Sequence, residues 1–366
     1  MPADGGERKI RVMVAGGGTG GHLFPGLAVA VEITKRREGA RILFVTGMRK
    51  MESEIIRGAG FEQASITVEG MKGRGWRGAL ALLKLPWSFL QCLAIMREFK
   101  PHLVFGVGGY SSGPVCISAK VLGVPSAVHE QNSYPGVTNR LLCRVVDRVF
   151  ISFEESRALF SGGSLYFTGN PIREQFLEAR PGDRKDPRFT ILAVGGSQGA
   201  RAINDALVDA LVIMKDRGRD LRVIHQTGHI DYERVLARYR EKGLQGEVTA
   251  FIRDMAGAYG QADLVASRAG AGAIFELAAL GKPSILIPYP FSANHHQETN
   301  AGVLVRAGGA EMILQEALRG ETLADALEKY MENPTVLEDM AAAARRAAVP
   351  DAAQKITNLL LDMIRP

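Results

Sequence analysis

The stretch IRVMVAGGGTGGH, residues 10–22, joins a β-branched and apolar run to a glycine-rich turn. Such a run is typical of a buried parallel strand, and the residues after the turn follow the pattern of a helix. Glycines let the backbone approach a ligand, and the N-terminus of a helix presents N–H groups and positive dipole. The stretch therefore predicts an anion site, suited to a phosphate, between a strand and a helix.

Two more glycine turns are present, GVGGYSSGP at residues 106–114 and TILAVGGSQGA at residues 190–200. The first and third turns lie about 180 residues apart, which suggests a duplicated Rossmann-like unit. Apolar runs such as RILFVTG (41–47) and ADLVAS (262–267) alternate with helical patterns in both halves. This alternation predicts doubly wound parallel α/β sheets, with a linker or surface loop at the polar stretch 179–188.

Length and composition bound the class of protein. A chain of 366 residues with 46% hydrophobic and 23% charged residues predicts a soluble globular protein of two domains. Its net charge of +6 suits anionic partners, whether phosphates, nucleic acid or anionic lipid. The three cysteines form no CxxC motif, which favours a reducing cytoplasm. We expect neither a secretory signal nor a spanning helix, because no apolar run reaches about 20 residues.

A dinucleotide fold is the first alternative. Gly16, Gly18 and Gly21 fit the pattern G-x-G-x-x-G, which on its own is weak evidence for NAD or FAD binding. That interpretation needs an acid near the end of the second strand to hold a ribose, and residues 44–47 read FVTG. A Walker A loop is excluded because the turn has no GKS or GKT.

Two polar residues follow glycine turns, at positions where catalysis or ligand binding is expected. His22 follows the first turn directly and is a candidate general base, with a helix-start histidine that bonds the backbone as the alternative. Glu276 follows a fourth strand-to-helix turn, SRAGA at 267–271. Its carboxylate could accept hydrogen bonds from a ribose diol, or it could simply be an acid near a helix N-terminus.

A metal site is not expected. His225, His229 and the adjacent pair His295 and His296 raise the question, but no cysteine or acid cluster completes a ligand set. The chain also has no Asp-x-Asp motif, which argues against glycosyltransferases that hold their nucleotide through a divalent ion.

Residues 71–96, MKGRGWRGALALLKLPWSFLQCLAIM, contain both tryptophans of the chain, Trp76 and Trp87. The cations before the apolar part are Lys72, Arg74 and Arg77. Tryptophan and cations beside apolar surface suit the headgroup region of a bilayer with an anionic leaflet. Lys84 and Pro86 make a transmembrane helix improbable, and a core helix behind a basic loop is the alternative.

In order along the chain, the three glycine turns and the motifs HEQN, GNPIR, FIRDM, SRAGA and HQETNA closely resemble the MurG family of peptidoglycan glycosyltransferases. The resemblance spans essentially the whole chain. It implies an α/β GT-B fold, with two Rossmann-like doubly wound parallel-sheet domains that face a cleft. It also implies an acceptor and membrane-binding domain at 1–172 with 351–366, and a UDP-GlcNAc-binding domain at 173–350.

The resemblance implies a role for each matching position. His22 becomes the candidate base and Glu130 a second catalytic candidate on the acceptor side. The implied donor contacts are Thr19, Gly20, Gly21, Asn132, Arg173, Ser197, Ile252, Ala271, Gly272, Ala273, Ile274, Phe275, Glu276 and Gln297. The implied acceptor contacts are Gly17, Gly18, Gly108, Gly109, Tyr110 and His129. The sequence departs from the family at Asn294, where relatives often have an acid, and at Gly272, an added glycine.

The implied reaction is inverting and uses no metal or cofactor. It moves GlcNAc from UDP-GlcNAc to the 4-hydroxyl of MurNAc in lipid I and gives lipid II. The lipid tail of the acceptor implies a peripheral enzyme on the cytoplasmic face of the bacterial plasma membrane. The implied partner surface is the anionic leaflet, and no nucleic acid is expected to bind. Two alternatives stay open: a GT-B transferase or UDP-GlcNAc epimerase with a soluble substrate, and a dinucleotide-dependent oxidoreductase.

Overall fold

The computed structural model describes residues 9–17, 20–48, 50–68, 85–178, 186–196 and 198–364. The chain divides into two compact units, Met1–Arg173 with Pro350–Pro366 and Glu174–Val349. Several predicted site residues lie outside the described residues, namely Gly18, Thr19, Lys72, Arg74, Trp76, Arg77 and Ser197. Residues 179–185 of the predicted linker also lie outside them.

The first unit is built on a seven-stranded parallel sheet. Its strands are β1 (Arg11–Ala15), β2 (Arg41–Thr46), β3 (Glu62–Ser65), β4 (Leu103–Gly106), β5 (Ser126–Glu130), β6 (Arg148–Ile151) and β7 (Ser164–Phe167). Its first helices are α1 (Gly20–Arg36), α2 (Lys50–Gly58), α3 (Leu85–Phe99), α4 (Ser112–Val121) and α5 (Val137–Leu142), with a 3-10 helix at Glu154–Leu159. The strand order is β3-β2-β1-β4-β5-β6-β7, so the order reverses between β1 and β4.

The second unit repeats this plan with six parallel strands. These are β8 (Thr190–Val194), β9 (Arg222–Gln226), β10 (Glu247–Thr249), β11 (Leu264–Ser267), β12 (Ser284–Leu286) and β13 (Ala310–Met312), in the order β10-β9-β8-β11-β12-β13. Its helices are α6 (Glu174–Glu178), α7 (Arg201–Asp216), α8 (Tyr232–Glu241), α9 (Met255–Gln261), α10 (Ala271–Leu280), α11 (His296–Arg306), α12 (Gly320–Glu332) and α13 (Pro334–Arg346), with a 3-10 helix at Ala293–His295. The predicted doubly wound parallel architecture is confirmed in both units.

Burial on both faces explains why the strands read as continuous apolar runs. In β1, Val12 and Val14 pack on one face with residues of α1, while Met13 and Ala15 pack on the other face with Cys92 of α3. A parallel sheet covered by helices on both sides buries every residue of its central strands. The core thus holds the carboxyl ends of the strands in fixed register, and the loops that follow them are the place for a site.

The last helix, α14 (Ala352–Leu361), packs on α1 and so completes the first unit. Its Ile356 and Leu360 are fully buried in the same cluster as Leu23 and Ile33 of α1. Among the helices of the described residues, none is both long and apolar enough to cross a membrane.

Candidate active site

The first and second glycine turns meet at the point where the strand order of the first unit reverses. Ala15 at the end of β1 pairs with Gly106 at the end of β4, so both turns leave neighbouring strands at one edge. At Gly109, where φ is 80°, an added Cβ would lie 2.4 Å from the carbonyl oxygen of Gly17. Only glycine allows this close approach of two backbones, and the contact lies at the switch point of the sheet, where folds of this kind bind their ligands.

His22 lies in the first turn of α1, beside the second glycine turn. The side chain is half-buried, and an added Cβ at Gly108 would lie 2.9 Å from its Cδ2 and 3.3 Å from its Nε2. The absence of a side chain at Gly108 therefore makes room for the imidazole. The structure thus places the candidate base at the junction of the two turns.

His129 is fully buried at the end of β5 and is held on both ring nitrogens. The amide nitrogen of Gln131 lies 3.2 Å from Nδ1, and Nε2 lies 3.2 Å from the Gly169 carbonyl oxygen and 3.0 Å from the Ser152 hydroxyl. Since an amide NH₂ only donates, Nδ1 accepts and the proton is on Nε2. Burial, together with the charge of nearby His22, lowers the pKa of His129 to about 4, and the hydrogen bond to the Gly169 carbonyl oxygen opposes this shift.

Glu130, the second catalytic candidate, is buried with both carboxylate oxygens hydrogen-bonded. One oxygen accepts from the backbone and side chain of Asn132 at 3.0 and 3.3 Å. The other accepts from the Gly136 N–H and the Asn139 amide, each at 2.9 Å. Burial raises the pKa of Glu130, and these donors oppose that rise. This geometry makes Glu130 an organiser of the loop after β5, with no oxygen left over for proton transfer.

The sequence indicated no role for Gln131. In the structure its side-chain amide connects the second glycine turn to His129. Its amide nitrogen donates to the Val107 carbonyl oxygen at 2.9 Å as well as to His129. Gln131 is 2% exposed, and its Oε1 accepts no hydrogen bond from the described residues. The signal that could have found it is its place between two predicted site residues at a strand end.

The remaining predicted residues of the first unit lie around this edge. Gly20 and Gly21 are the first residues of α1, and Tyr110 is exposed directly after the second turn. The guanidinium carbon of Arg173 lies 4.5 Å from the centroid of the Phe24 ring. Phe24 is on α1, so stacking holds the Arg173 cation near the start of that helix.

In the second unit the third glycine turn packs against the loop after β9. At Gly199, where φ is 79°, an added Cβ would lie 2.0 Å from the Thr227 carbonyl oxygen. At Gly228, where φ is 82°, it would lie 2.4 Å from the Gln198 carbonyl oxygen. The two loops touch through their backbones, as the two turns of the first unit do.

Gln226, the last residue of β9, bridges this turn to the loop after β10. Its amide nitrogen donates to the Gly196 carbonyl oxygen at 3.0 Å, and its Oε1 accepts from the Ile252 N–H at 2.9 Å. The resemblance to the MurG family implies that Ile252, one of the donor contacts, offers its backbone to uracil. The Ile252 N–H donates to Gln226. The backbone group of Ile252 that Gln226 does not engage is therefore the carbonyl oxygen.

Glu276 lies in the second turn of α10, half-buried, and the Tyr259 hydroxyl donates to it at 3.5 Å. Of the predicted positions before it, Ala271, Ile274 and Phe275 have buried side chains. These three can offer a ligand only their backbone. An added Cβ at Gly272 would meet nothing within 4 Å, so the extra glycine faces open space.

Gln297 is the second residue of α11, and a backbone hydrogen bond orients its side-chain amide. Its Oε1 accepts from the Tyr289 N–H at 2.9 Å, which turns the NH₂ donor outward. Asn294 and His295, in the 3-10 helix that precedes α11, have left-handed backbone conformations, with φ of 53° and 52°. Asn tolerates this conformation better than most residues. The His295 ring lies 3.0 Å from the carboxylate of Glu298.

Two family models match the chain. The glycosyltransferase family 28 N-terminal domain matches residues 12–151, and the C-terminal domain of that family matches residues 190–356. A UDP-N-acetylglucosamine–N-acetylmuramyl-(pentapeptide) pyrophosphoryl-undecaprenol N-acetylglucosamine transferase of Syntrophus aciditrophicus is 46% identical over 97% of this chain and 99% of the relative. The protein of that name from Geobacter metallireducens is 43% identical over 96% and 98%.

The chain belongs to the MurG family of glycosyltransferase family 28. The crystal structure of Acinetobacter baumannii MurG superposes with a TM-score of 0.79 at 31% identity, covering 96% of this chain and 99% of that one. This confirms the GT-B class, and the chain is a glycosyltransferase. A UDP-GlcNAc 2-epimerase from Neisseria meningitidis reaches a TM-score of 0.68 at 13% identity, over 96% of this chain and all of that one, and shares the fold alone.

Two of the histidines that raised the question of a metal site are engaged by neighbouring side chains. His225 is buried between the Asn204 amide oxygen at 3.0 Å and the Tyr239 hydroxyl at 3.1 Å, and burial lowers its pKa to about 4. His295 pairs with Glu298. Within the described ranges, no group of three or more histidine, cysteine or acidic residues is arranged to hold a metal ion.

Proposed function

We propose that the chain transfers GlcNAc from UDP-GlcNAc to the 4-hydroxyl of MurNAc in lipid I and so forms lipid II for peptidoglycan synthesis. The observation that carries the proposal is the 46% identity, over 97% of the chain, to a transferase named for these substrates. Each unit of the fold supplies what the reaction needs, a backbone-lined glycine turn where parallel strands end. In this assignment the first unit receives the lipid-linked acceptor and the second unit receives UDP-GlcNAc.

The donor is held mainly by the second unit. The third glycine turn, with Ser197, receives the diphosphate, and the first turn of α10 adds N–H groups and helix dipole. The Glu276 carboxylate accepts hydrogen bonds from the two ribose hydroxyls. Its half-buried position strengthens these charge-assisted hydrogen bonds. The Gln297 NH₂ donates to a GlcNAc hydroxyl, since Tyr289 has already fixed its oxygen. Asn132, Arg173, Gly20 and Gly21, with Thr19, complete the donor contacts.

The chemical step is a single displacement. The MurNAc O4 attacks C1 of GlcNAc, the bond from C1 to the UDP oxygen breaks, and the O4 proton passes to the His22 imidazole. Attack from the side opposite the leaving group turns the α-linked donor into a β-1,4 disaccharide. The negative charge that develops on UDP is stabilised by backbone N–H groups and by the Arg173 guanidinium. His129 stays neutral beside His22. No positive charge on His129 therefore opposes protonation of the His22 imidazole.

The acceptor is bound where the first two glycine turns meet. Gly17, Gly108 and Gly109, with Gly18, present backbone to the lipid-linked pyrophosphate, and Tyr110 is exposed next to them. Glu130 and His129 act there as positioning residues, because both are buried and fully hydrogen-bonded. No nucleic-acid partner is part of the proposal.

The lipid tail requires that the enzyme dock on the cytoplasmic leaflet. Helices α3, α4 and α5 pack side by side in the first unit and expose apolar side chains at helical spacing. These are Trp87, Leu90, Ile117, Val121, Val137 and Leu141, which we call the apolar surface. Trp87 is 59% exposed and Leu141 is 64% exposed, more than a monomeric fold requires. The neighbouring cations Lys72, Arg74 and Arg77 and the second tryptophan, Trp76, precede α3 in the chain.

The test is incubation of the purified chain with labelled UDP-GlcNAc and a lipid I analogue. Transfer of label to a lipid II product is the expected result. A second incubation without acceptor reports on the epimerase alternative, since an epimerase converts UDP-GlcNAc to its 2-epimer with no acceptor present. Epimer formation without any labelled lipid would overturn the proposal.

A further inference from the structure

Gln226 uses both ends of its amide to connect two loops of the second unit. Its nitrogen donates to the Gly196 carbonyl oxygen at 3.0 Å, within the third glycine turn. The same carbonyl oxygen accepts from the Gly199 N–H at 3.0 Å, so the bond from Gln226 reinforces the closure of that turn. Its oxygen accepts from the Ile252 N–H at 2.9 Å, in the loop after β10. One buried side chain thus spans the turn and the loop.

Asn204 of α7 holds the backbone and side chain of the two residues that flank Gln226. The Asn204 amide nitrogen donates to the Thr227 carbonyl oxygen at 3.0 Å and to an Asp231 oxygen at 2.6 Å. The Asn204 oxygen lies 3.0 Å from the His225 ring. Both neighbours of Gln226 along the chain, His225 and Thr227, are therefore anchored, and Gln226 itself is 2% exposed. A side chain held in this way cannot change its reach without breaking several buried bonds.

We propose that Gln226 is a positioning residue that sets the distance between the diphosphate subsite and the base subsite of the donor. The inference rests on the proposed function, in which the third turn binds the diphosphate of UDP-GlcNAc, and it assigns the Ile252 backbone, an implied donor contact, to uracil. A nucleotide bound in one conformation has a set distance between phosphate and base edge, so two subsites held at that distance bind it more tightly than two subsites that drift. The same register disfavours a larger base, because a purine edge reaches further from the ribose.

The position requires an amide, and this separates Gln226 from a residue that only fills space. Glutamate at 226 could still accept from the Ile252 N–H, but its carboxylate would face the Gly196 carbonyl oxygen without a donor. It would also bring negative charge to the turn that binds the diphosphate. Alanine would lose both bonds. Alanine therefore loosens both ends of the connection, and glutamate loosens only the end at the glycine turn.

The experiment measures dissociation constants of UDP and ADP by calorimetry for the parent, Gln226→Ala and Gln226→Glu. Gln261→Ala is the matched control, since Gln261 accepts one hydrogen bond from Arg222 at the opposite end of β9, at 2.7 Å. For Gln226→Ala we expect UDP affinity to fall about tenfold to a hundredfold, the loss of two net hydrogen bonds, and the preference for UDP over ADP to shrink. For Gln226→Glu we expect both nucleotides to weaken while the preference is kept.

Steady-state assays add a second readout. With either variant the KM for UDP-GlcNAc should rise while kcat at saturating donor stays near that of the parent, because Gln226 touches no reacting atom. An unchanged UDP-to-ADP ratio in Gln226→Ala would overturn the inference. If Gln226→Ala does not fold, the isosteric Gln226→Glu decides, and normal affinity for both nucleotides would overturn it. A parent that fails to bind UDP would instead refute the proposed function.

Discussion

The side-chain amide of Gln131 donates to Nδ1 of His129 at 3.2 Å and thereby keeps the proton of that imidazole on Nε2. The pair lies behind His22, at the edge where the first two glycine turns meet. A buried imidazole in a fixed tautomer is a rigid, neutral support for the candidate base. Its neutrality also links the stability of the protein to pH.

Stability should decline in mild acid because both units bury neutral histidines. The pKa values of His129 and His225 are lowered to about 4, from about 6.5 in the unfolded chain. Between these values the unfolded state binds more protons, so the contribution of the two histidines lowers the free energy of unfolding as pH drops from about 6.5 to about 4, and below that this contribution is constant. The full loss is about 3 kcal/mol per histidine.

Urea unfolding near pH 7 and near pH 5 measures this decline, with separate fits if the two units unfold in separate steps. Gln131→Glu supplies the control for His129. A carboxylate must accept from Nδ1, so it favours the charged ring and should reduce the slope with pH in the first unit only. A stability that is constant across this pH range would contradict the burial of both rings in the neutral form.

The candidate base is tested by His22→Ala. Removal of a general base lowers turnover by about 10²–10⁴, while UDP affinity should stay nearly unchanged because the donor diphosphate is bound elsewhere. His102→Ala is the matched control, since its ring accepts from the Arg11 N–H at 3.1 Å at the other end of the same sheet. A loss smaller than about tenfold at saturating substrates would leave His22 a binding or structural residue.

The ribose contact is tested by Glu276→Ala. Loss of a charge-assisted acceptor costs about 1.5–3 kcal/mol, so the dissociation constant of UDP should rise about tenfold to a hundredfold. Calorimetric titration measures it, and Glu233→Ala, another acid in the first turns of a helix, should leave it unchanged. Equal UDP binding by Glu276→Ala and the parent would rule out the ribose role.

Activity should survive removal of divalent ions. Glycine turns, a helix N-terminus and Arg173 are the proposed partners of the phosphates, and the sequence has no Asp-x-Asp motif. EDTA should therefore leave turnover of a water-soluble acceptor unchanged. Activity that EDTA abolishes and magnesium restores would show that an ion carries the charge of the leaving group instead.

Docking on a bilayer is tested on the apolar surface. The double variant Trp87→Gln with Leu90→Gln removes exposed apolar side chains from α3 and should weaken sedimentation with anionic vesicles. It should slow turnover of long-chain lipid I and spare a short-chain acceptor, because the two side chains point away from the core. Val336→Gln in the second unit, also exposed, is the control. Vesicle binding equal to the parent's would mean that this surface does not dock.

The cations before α3 give the electrostatic part of the same test. Lys72, Arg74 and Arg77 lie outside the described residues, and their role stays a prediction. Each cation near an anionic leaflet contributes about 1 kcal/mol, so changing all three to glutamine should reduce vesicle affinity roughly a hundredfold at low salt. The difference should shrink as ionic strength rises.

The sequence predicted the glycine turns because glycine at a strand end has few structural roles. Gly108, Gly109 and Gly199 all adopt left-handed backbone conformations in close contact with another loop. The contact between the first two turns was not predicted. It follows from the strand order, which brings β1 beside β4, and the order is set by packing between elements far apart in the chain.

The strands that sequence reasoning missed are all at sheet edges. These are β3, β7 and β13, at Glu62–Ser65, Ser164–Phe167 and Ala310–Met312. An edge strand has one neighbour and is only partly covered, so its residues need not be apolar, and β3 reads EQAS. The apolar-run pattern that finds central strands therefore has nothing to detect in β3, and in β7 and β13 it has only short runs of three or four residues.

The sequence also could not distinguish an available polar group from one already bonded. Glu130 looked like a catalytic carboxylate, yet its two oxygens accept four hydrogen bonds from the loop that follows it. Gln131 and Gln226 were not predicted, because their bonds to Val107, Gly196 and Ile252 reach residues more than 20 positions away. Residue type reveals chemical capacity, and only the fold reveals whether that capacity is used.

The packing of α14 on α1 has a consequence for synthesis on the ribosome. Residues 174–349 emerge before α14, so the second unit can fold while the chain is still attached. The first unit cannot complete its core at that stage, since Ile356 and Leu360 belong to that core and are made after the second unit. The apolar stripe of α1 that they cover stays open until α14 emerges. The nascent protein is thus most exposed to aggregation and to chaperones through the part that was made first.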